Sequence, residues 1–388
     1  MKDFFENIWN NKEWLFSGIG VLIISIFGGL FLRKRNNEKQ LAPQGDGHNY
    51  AAATINVHHS SGLSVIDVKE LAKSVFMENF PKLQEDAKIE AEKNRDLFIS
   101  ELDKKIHEKL NAEEINKFNK PDIQFALKEA VVTASRKNNQ ESRTILSNLI
   151  VDRVKNDGIE FKEIVYNESI STISRLTKNH LDILAFAFIT RYARLMNVKD
   201  WNNFEALLRK YICPFLEFSS SQAQFQHLEY SDCANIGLGS TRIESAFRKS
   251  YSNLFLKEEN PFIDKAAYEN WNLIPELKPV FFKPSDDGEK YYFLQTTATD
   301  IEMTRDQFIK SGVATFTDFS NVFLTKVQND TEIITELKSK FDFGQKLLSQ
   351  YNDTSVGRLT LTSVGIVIGA SHLETLTGDK LNIDIWIN

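Results

Sequence analysis

Cysteine is scarce in this sequence, with Cys213 and Cys233 as the two among 388 residues. Two isolated thiols form neither a disulfide scaffold nor a zinc site, and they fit a reducing compartment. A large excess of basic charge is also missing, because the formal net charge is −6. Broad, non-specific nucleic-acid binding needs a basic surface, so this balance argues against it and leaves open one local basic patch.

Catalytic motifs are missing as well. The sequence has no G-x-x-x-x-G-K-[ST] phosphate loop, no G-x-S-x-G elbow and no H-E-x-x-H zinc motif. Gly237-Leu238-Gly239 lacks the third glycine of a dinucleotide-binding fingerprint, so we predict a turn there. Cys233 and His227 lack a third orienting group, Cys213 is expected to be a buried thiol, and His372 is expected at a polar edge or satisfied in the core. We therefore predict no catalytic residue, no cofactor and no metal site.

One long uncharged hydrophobic run is present, from Trp14 to Leu32. It has about 19 residues, close to the roughly 20 that a helix needs to cross a bilayer, and we predict a single transmembrane helix. A cleaved signal peptide and a buried core helix are the alternatives. Against cleavage, acidic residues precede the run and it leads directly into Arg33-Lys34-Arg35. These basic residues predict that the start of the chain lies outside and the larger remainder lies in the cytoplasm.

The predicted anchor has small residues near one helix face. A small-xxx-small pair permits close helix approach, and the competing interpretation is that glycine is common in membrane helices. The anchor interpretation rests on the following residues: Trp14, Gly18, Ser25, Gly29, Arg33, Lys34 and Arg35.

Composition and periodicity predict four regions: an anchor at 1–35, a linker at 36–62, a helical domain at 63–158 and an α+β domain at 159–388. Ser64 and Asp67 form a predicted capping box, and apolar residues then recur at helical spacing. Later helices are predicted to begin at Pro121 and after Asp200. The fold class is therefore mainly α, with a cytoplasmic helical bundle.

The last part of the chain has strand-like patterns. Aromatic runs on both sides of Pro284-Ser285-Asp286-Asp287-Gly288 predict a hairpin. The segment 359–369 predicts a short strand that leads into a helix. The alternating segment Leu381 to Ile387 predicts a half-buried strand.

The segments FQHLEYSDCANIGL and Leu361-Thr362-Ser363-Val364-Gly365 resemble parts of bacterial winged-helix-like domains. The second segment is similar to the C-terminal ending of the abortive infection alpha family of phage-defence proteins. Together with GLSVIDVKELAKSVFMENFPKLQ, the ending LTSVGIVIGASHLE…LNIDIWIN also resembles a largely uncharacterised bacterial family associated with defence. The resemblance implies a role in phage defence at the bacterial inner membrane, and it brings no catalytic residues.

Two functions follow as hypotheses. The first is a membrane-anchored interaction or effector protein, whose partners would be the lipid bilayer, a second copy of the chain and an unidentified protein or phage-derived trigger. The second is a membrane-tethered nucleic-acid-binding regulator. Its candidate contacts are Arg242, Arg248 and Lys249, which do not form a dense basic face.

Overall fold

The computed structural model describes residues 64–79, 85–196, 198–270, 278–294, 297, 300 and 323–387. The chain divides into two units, one of residues 1–62 with 77–83 and one of residues 63–76 with 84–388. Apart from the last turn of the first helix, every element below belongs to the second unit. The predicted anchor at Trp14 to Leu32 and the linker lie outside the described residues.

The first half of the described chain is helical. The first helix begins at the predicted capping box, where the Ser64 backbone N–H donates to Asp67 Oδ2 over 2.7 Å and the Asp67 N–H donates to Ser64 Oγ over 3.3 Å. The helices in this half are α1 (Val65–Asn79), α2 (Glu85–Lys109), α3 (Ala112–Asn116), α4 (Pro121–Arg136), α5 (Gln140–Lys155), α6 (Glu160–Thr172) and α7 (Lys178–Arg191). The predicted start at Pro121 is confirmed.

Shorter helices and strands come next in the chain. The helices are α8 (Trp201–Tyr211), α9 (Gln222–Tyr230), α10 (Ile243–Ser250), α11 (Lys265–Asn270), α12 (Lys278–Phe281), α13 (Asp330–Lys340), α14 (Gly344–Asn352) and α15 (Ser363–Thr377). The strands are β1 (Ala234–Ile236), β2 (Phe262–Asp264), β3 (Phe282–Pro284), β4 (Lys290–Phe293) and β5 (Leu359–Leu361). Asp200 caps α8 as predicted, because its Oδ1 accepts from the Asn203 N–H over 2.8 Å.

The strands form two small antiparallel sheets. β1 pairs with β5, with Ala234 opposite Leu361. The second sheet has the order β2-β4-β3, and β3 and β4 form the predicted hairpin. The fold is therefore mainly helical with a small sheet region, as the sequence predicts at that level.

The core centres on α7, which is buried from Leu181 to Ile189. Helix α15 packs closely along α7. Gly369 permits this approach, since a Cβ at that position would lie 2.7 Å from the Leu184 carbonyl oxygen. Helix α5 packs against α2, α4, α6 and α15, so it joins the first helices to this central pair.

The predicted strand at Leu381 to Ile387 is wrong. This segment forms a 3-10 turn at Asp384–Trp386. Its side chains bind helices and not a neighbouring strand: Asp384 pairs with Lys162 over 2.5 Å, and the Trp386 ring lies 5.6 Å from the Phe188 ring. The alternation is not kept in the structure, because the 3-10 turn leaves Ile385 75% exposed while Trp386 packs on Phe188 and Ile387 is buried.

Among the described residues, no helix has both the length and the apolar character needed to cross a membrane.

Candidate binding site at the start of the central helix

Helix α7 is apolar along most of its length, but its first turns are polar. Thr177 caps the helix, and its backbone N–H donates to His180 Nδ1 over 3.1 Å. Lys178, His180 and Asp182 lie within the first five residues of the helix. This end of α7 therefore places ionisable side chains next to the core.

His180 lies against His227 of α9. The two rings are stacked with centroids 4.7 Å apart, and His180 is 5% exposed. His227 Nε2 donates to the Arg175 carbonyl oxygen over 2.9 Å. Because His180 Nδ1 is an acceptor, its Nε2 carries the proton in the neutral ring, and this N–H has no hydrogen-bond partner within the described ranges.

The environment keeps His180 neutral. Burial lowers the pKa of His180 to about 4, and the neighbouring His227 and Lys137 act in the same direction. No carboxylate acts in the opposite direction on this ring within the described part of the chain. His180 is therefore a neutral imidazole that is stacked on His227 and lies near Lys137.

Asp182 forms a second, separate cluster. It accepts from Lys178 Nζ over 2.7 Å and is 2.8 Å from His372 Nε2 of α15. Because Asp182 and His180 are two residues apart, they lie on different sides of α7. His372 is fully buried, and the Phe215 ring contacts it edge to face with centroids 5.5 Å apart. The sequence left open a polar edge or the core for His372, and the structure places it in the core.

Neither thiol is activated. Cys233 is buried beside β1, and burial raises its pKa to about 12. Cys213 is half-buried and not fully buried as predicted, and desolvation raises its pKa to about 11. The Cys233 thiol donates to the Ser231 carbonyl oxygen over 3.5 Å, and no hydrogen bond joins it to the His227 ring among the described residues.

The predicted nucleic-acid contacts are partly engaged within the fold. Arg242 pairs with Glu244, and Arg248 donates to the Leu324 carbonyl oxygen over 2.8 Å. Lys249 is exposed on α10. Arg242 and Arg248 thus bind partners within the chain at the start and end of α10.

A surface that sequence reasoning missed lies beside the histidine stack. Lys137 Nζ donates to the carbonyl oxygens of Ile173 and Leu176 over 3.0 and 2.7 Å. These bonds place the end of α4 next to Arg175 and hence next to His227. We call Arg136, Lys137, Arg175 and His227 the basic edge. No local pattern could reveal it, because its members come from three distant parts of the chain.

A polar cavity of about 180 Å³ lies elsewhere, among residues that include Arg194, Tyr251 and Asn253. It is smaller than the usual small-molecule pocket. Arg194 already makes two bonds to Asp300, of 2.7 and 3.3 Å. Within the described part of the chain, no group of three or more His, Cys, Asp or Glu side chains could hold a metal ion.

One family model matches residues 62–387, and it carries only the description ":-like". The chain belongs to this family. The family is uncharacterised, and nothing in the match links it to phage defence or abortive infection. No curated protein and no solved structure matches the chain.

Proposed function

We propose that this chain is a membrane-anchored binding protein whose helical region recognises a partner. The observation that carries the proposal is the uncharged run Trp14 to Leu32, closed by Arg33-Lys34-Arg35. Such a run is long enough to span a bilayer as a helix, and the basic residues favour a cytoplasmic position for the larger part of the chain after them.

Binding is favoured over catalysis by the state of the candidate reactive groups. His372 and Asp182 are buried, so a substrate has no access to them. Cys233 is a protonated thiol at neutral pH, because burial raises its pKa to about 12. Cations and a histidine reach the surface near the start of α7, at Arg175, Lys178 and His227, and they suit recognition of an anionic partner.

The resemblance of Leu361 to Gly365 to abortive infection alpha proteins supports the further proposal that binding serves phage defence. In that proposal the protein acts at the bacterial inner membrane, and the face with Gly18, Ser25 and Gly29 brings copies together. The native anchor then either tethers the cytoplasmic region or perturbs the bilayer itself.

A membrane-tethered nucleic-acid-binding regulator is the second candidate. Helix α10 precedes the hairpin of β3 and β4 in the chain, an order that suits a winged-helix-like region. The pairing of Arg242 with Glu244 weighs against it, because phosphate contacts need accessible cations. Salt-dependent binding of the full chain to duplex DNA would favour this candidate.

The anchor is tested by comparing the full chain with a variant that lacks residues 1–35. We expect the full chain to stay with membranes after an alkaline carbonate wash and the truncated chain to stay in solution. Recovery of the full chain in the soluble fraction would overturn the proposed anchoring.

The defence proposal is tested by phage plating on cells that carry the wild-type chain or a variant with residues 1–35 replaced by an unrelated single-span anchor. Protection by both proteins would assign the activity to the region after the anchor. Loss of protection by an abundant, membrane-bound replacement variant would assign it to the native helix. Absence of protection by both would contradict the defence role.

A further inference from the structure

The members of the basic edge are direct neighbours in the fold. Lys137 bonds the carbonyls on both sides of Arg175, at Ile173 and Leu176, and His227 bonds the Arg175 carbonyl itself. Arg136 is the neighbour of Lys137 in the chain. Arg136 and Arg175 are exposed, and Lys137 and His227 are half-buried.

The positive charge of this edge is poorly compensated. The side chains of Arg136 and Arg175 make no ion pair and no hydrogen bond within the part of the chain that the structure describes. The pKa of Lys137 is lowered by burial and then by Arg136, with no described carboxylate opposing them. Asp232 and Arg175 both act on the pKa of the Cys233 thiol, and they form no ion pair with each other within the described residues, so Asp232 reduces the positive potential only in part.

Two helix starts add to the positive potential. Helix α5 begins just after Lys137, with its N-cap at Asn139, and α7 begins just after Arg175, with its N-cap at Thr177. Each helix start carries about half a positive charge from its backbone N–H groups, which Glu141 partly offsets in the first turn of α5 and which no acidic residue opposes in the first turn of α7. Lys137 Nζ also donates hydrogen bonds to the carbonyl oxygens of Ile173 and Leu176 in the turn after α6, which offsets their partial negative charge. The edge therefore presents cations and helix starts together.

An exposed aromatic ring lies beside these cations. Tyr230 ends α9, is 76% exposed, and has its ring centroid 6.0 Å from that of His227. A tyrosine with an apolar ring and a polar hydroxyl favours the boundary between headgroups and water. Cations with a neighbouring tyrosine are typical of surfaces that touch a membrane without crossing it.

The chain has the reach that such contact needs. Residues 36–62 separate the predicted anchor from the helical region. A random coil of this length has a root-mean-square span of about 30 Å, comparable to the size of a folded domain. A tether of that length holds the basic edge within reach of the headgroups at high effective concentration.

We propose that the basic edge docks on the anionic phospholipid headgroups of the membrane in which the chain is anchored. The proposal rests on the proposed membrane anchoring. Arg136 and Arg175 bind the phosphate groups, Lys137 and the two helix starts add attraction, and Tyr230 inserts at the headgroup level. The proposed anchor favours lipid over nucleic acid as the occupant, because it keeps headgroups at high effective concentration beside this edge.

The test uses the full chain reconstituted in lipid nanodiscs, either of neutral phosphatidylcholine or with about 30% phosphatidylglycerol. Hydrogen exchange is followed in peptides that cover residues 136–142 and 174–180. We expect exchange there to be at least about threefold slower in the anionic nanodiscs, and the difference to disappear in about 0.5 M salt.

A pair of matched variants identifies the residues. Arg136→Gln with Arg175→Gln removes two charges from the edge and should abolish the slowing. Lys88→Gln with Lys93→Gln removes two charges from α2 and should leave it intact. Circular dichroism checks that both double variants keep the wild-type helix content.

The outcomes separate the two proposals. If the chain washes out of the nanodiscs under alkaline conditions, the anchoring fails. If it stays embedded and exchange at the edge is the same in both lipids, docking is overturned and the anchoring stands. If adding an oligonucleotide to the chain in neutral nanodiscs slows hydrogen exchange at the edge as much as anionic lipid does, lipid docking is overturned in favour of nucleic acid.

Discussion

At the scale of single residues, His180 shows how burial sets the charge of a side chain. Its Nδ1 completes the cap of α7, while the ring is stacked on His227 and lies near Lys137. A proton on this ring would be desolvated and would lie next to two basic groups. The pKa of His180 is therefore lowered to about 4, compared with about 6.5 for a free histidine.

This shift predicts a pH dependence of stability. Between pH 6.5 and 4 the unfolded chain binds a proton at His180 and the folded chain does not, so the free energy of unfolding falls as the pH falls. We expect His180 to contribute about 1 kcal/mol of this loss by pH 5, allowing for screening by solvent near His227.

The measurement is urea unfolding of the wild type and His180→Gln at pH 7 and pH 5. Glutamine at this third helical position can keep the capping bond but cannot titrate. The wild type should lose more stability than the variant over this interval. Parallel losses would contradict the predicted role of His180.

At the scale of elements, the joint between β1 and α15 depends on one glycine. Thr362 caps α15 and its N–H donates to the Cys233 carbonyl oxygen over 3.0 Å. A Cβ on Gly365 would lie 1.9 Å from that same oxygen. The Leu-Thr-x-x-Gly pattern, which the sequence relates to winged-helix domains, thus has a packing reason here: a helix start lies directly against a strand.

We predict that Gly365→Ala lowers the free energy of unfolding by about 3 kcal/mol, because the helix must move away from β1. Gly239→Ala is the matched control, since a Cβ there meets nothing within 4 Å. Urea unfolding followed by circular dichroism measures both. Equal stability of the two variants would show that the close approach at Gly365 does not constrain the fold.

At the scale of the whole molecule, the segment 379–387 ties distant helices together. Asp379 binds Lys210 of α8, Lys380 binds Asp152 of α5, and Asp384 binds Lys162 of α6 over 2.5 Å. Asp152 is 7% exposed, and burial raises its pKa even beside Lys380.

We predict that Lys380→Met lowers the stability by about 2 kcal/mol at pH 7, because a buried carboxylate loses its counter-ion. An aspartate with a raised folded pKa contributes stability at low pH that is lost as the pH rises. The loss of stability caused by Lys380→Met should therefore be smaller at pH 4 than at pH 7. Asp152→Asn combined with Lys380→Met should recover part of the loss at pH 7. An equal loss at both pH values, or no recovery in the double variant, would contradict this account.

The sequence by itself determined the local features: the capping box at Ser64, the helix start at Pro121, the cap at Asp200 and the hairpin around Pro284 to Gly288. Each depends on residues within a few positions of one another, so local chemistry is sufficient. It misassigned Leu381 to Ile387, because alternation does not reveal whether the neighbour is a strand or a helix. Only the tertiary structure decided that His180 meets His227, that His372 binds Asp182, and that Lys137 bonds both sides of Arg175. These contacts join residues 36 to 190 positions apart, and packing of the apolar helix faces brings them together.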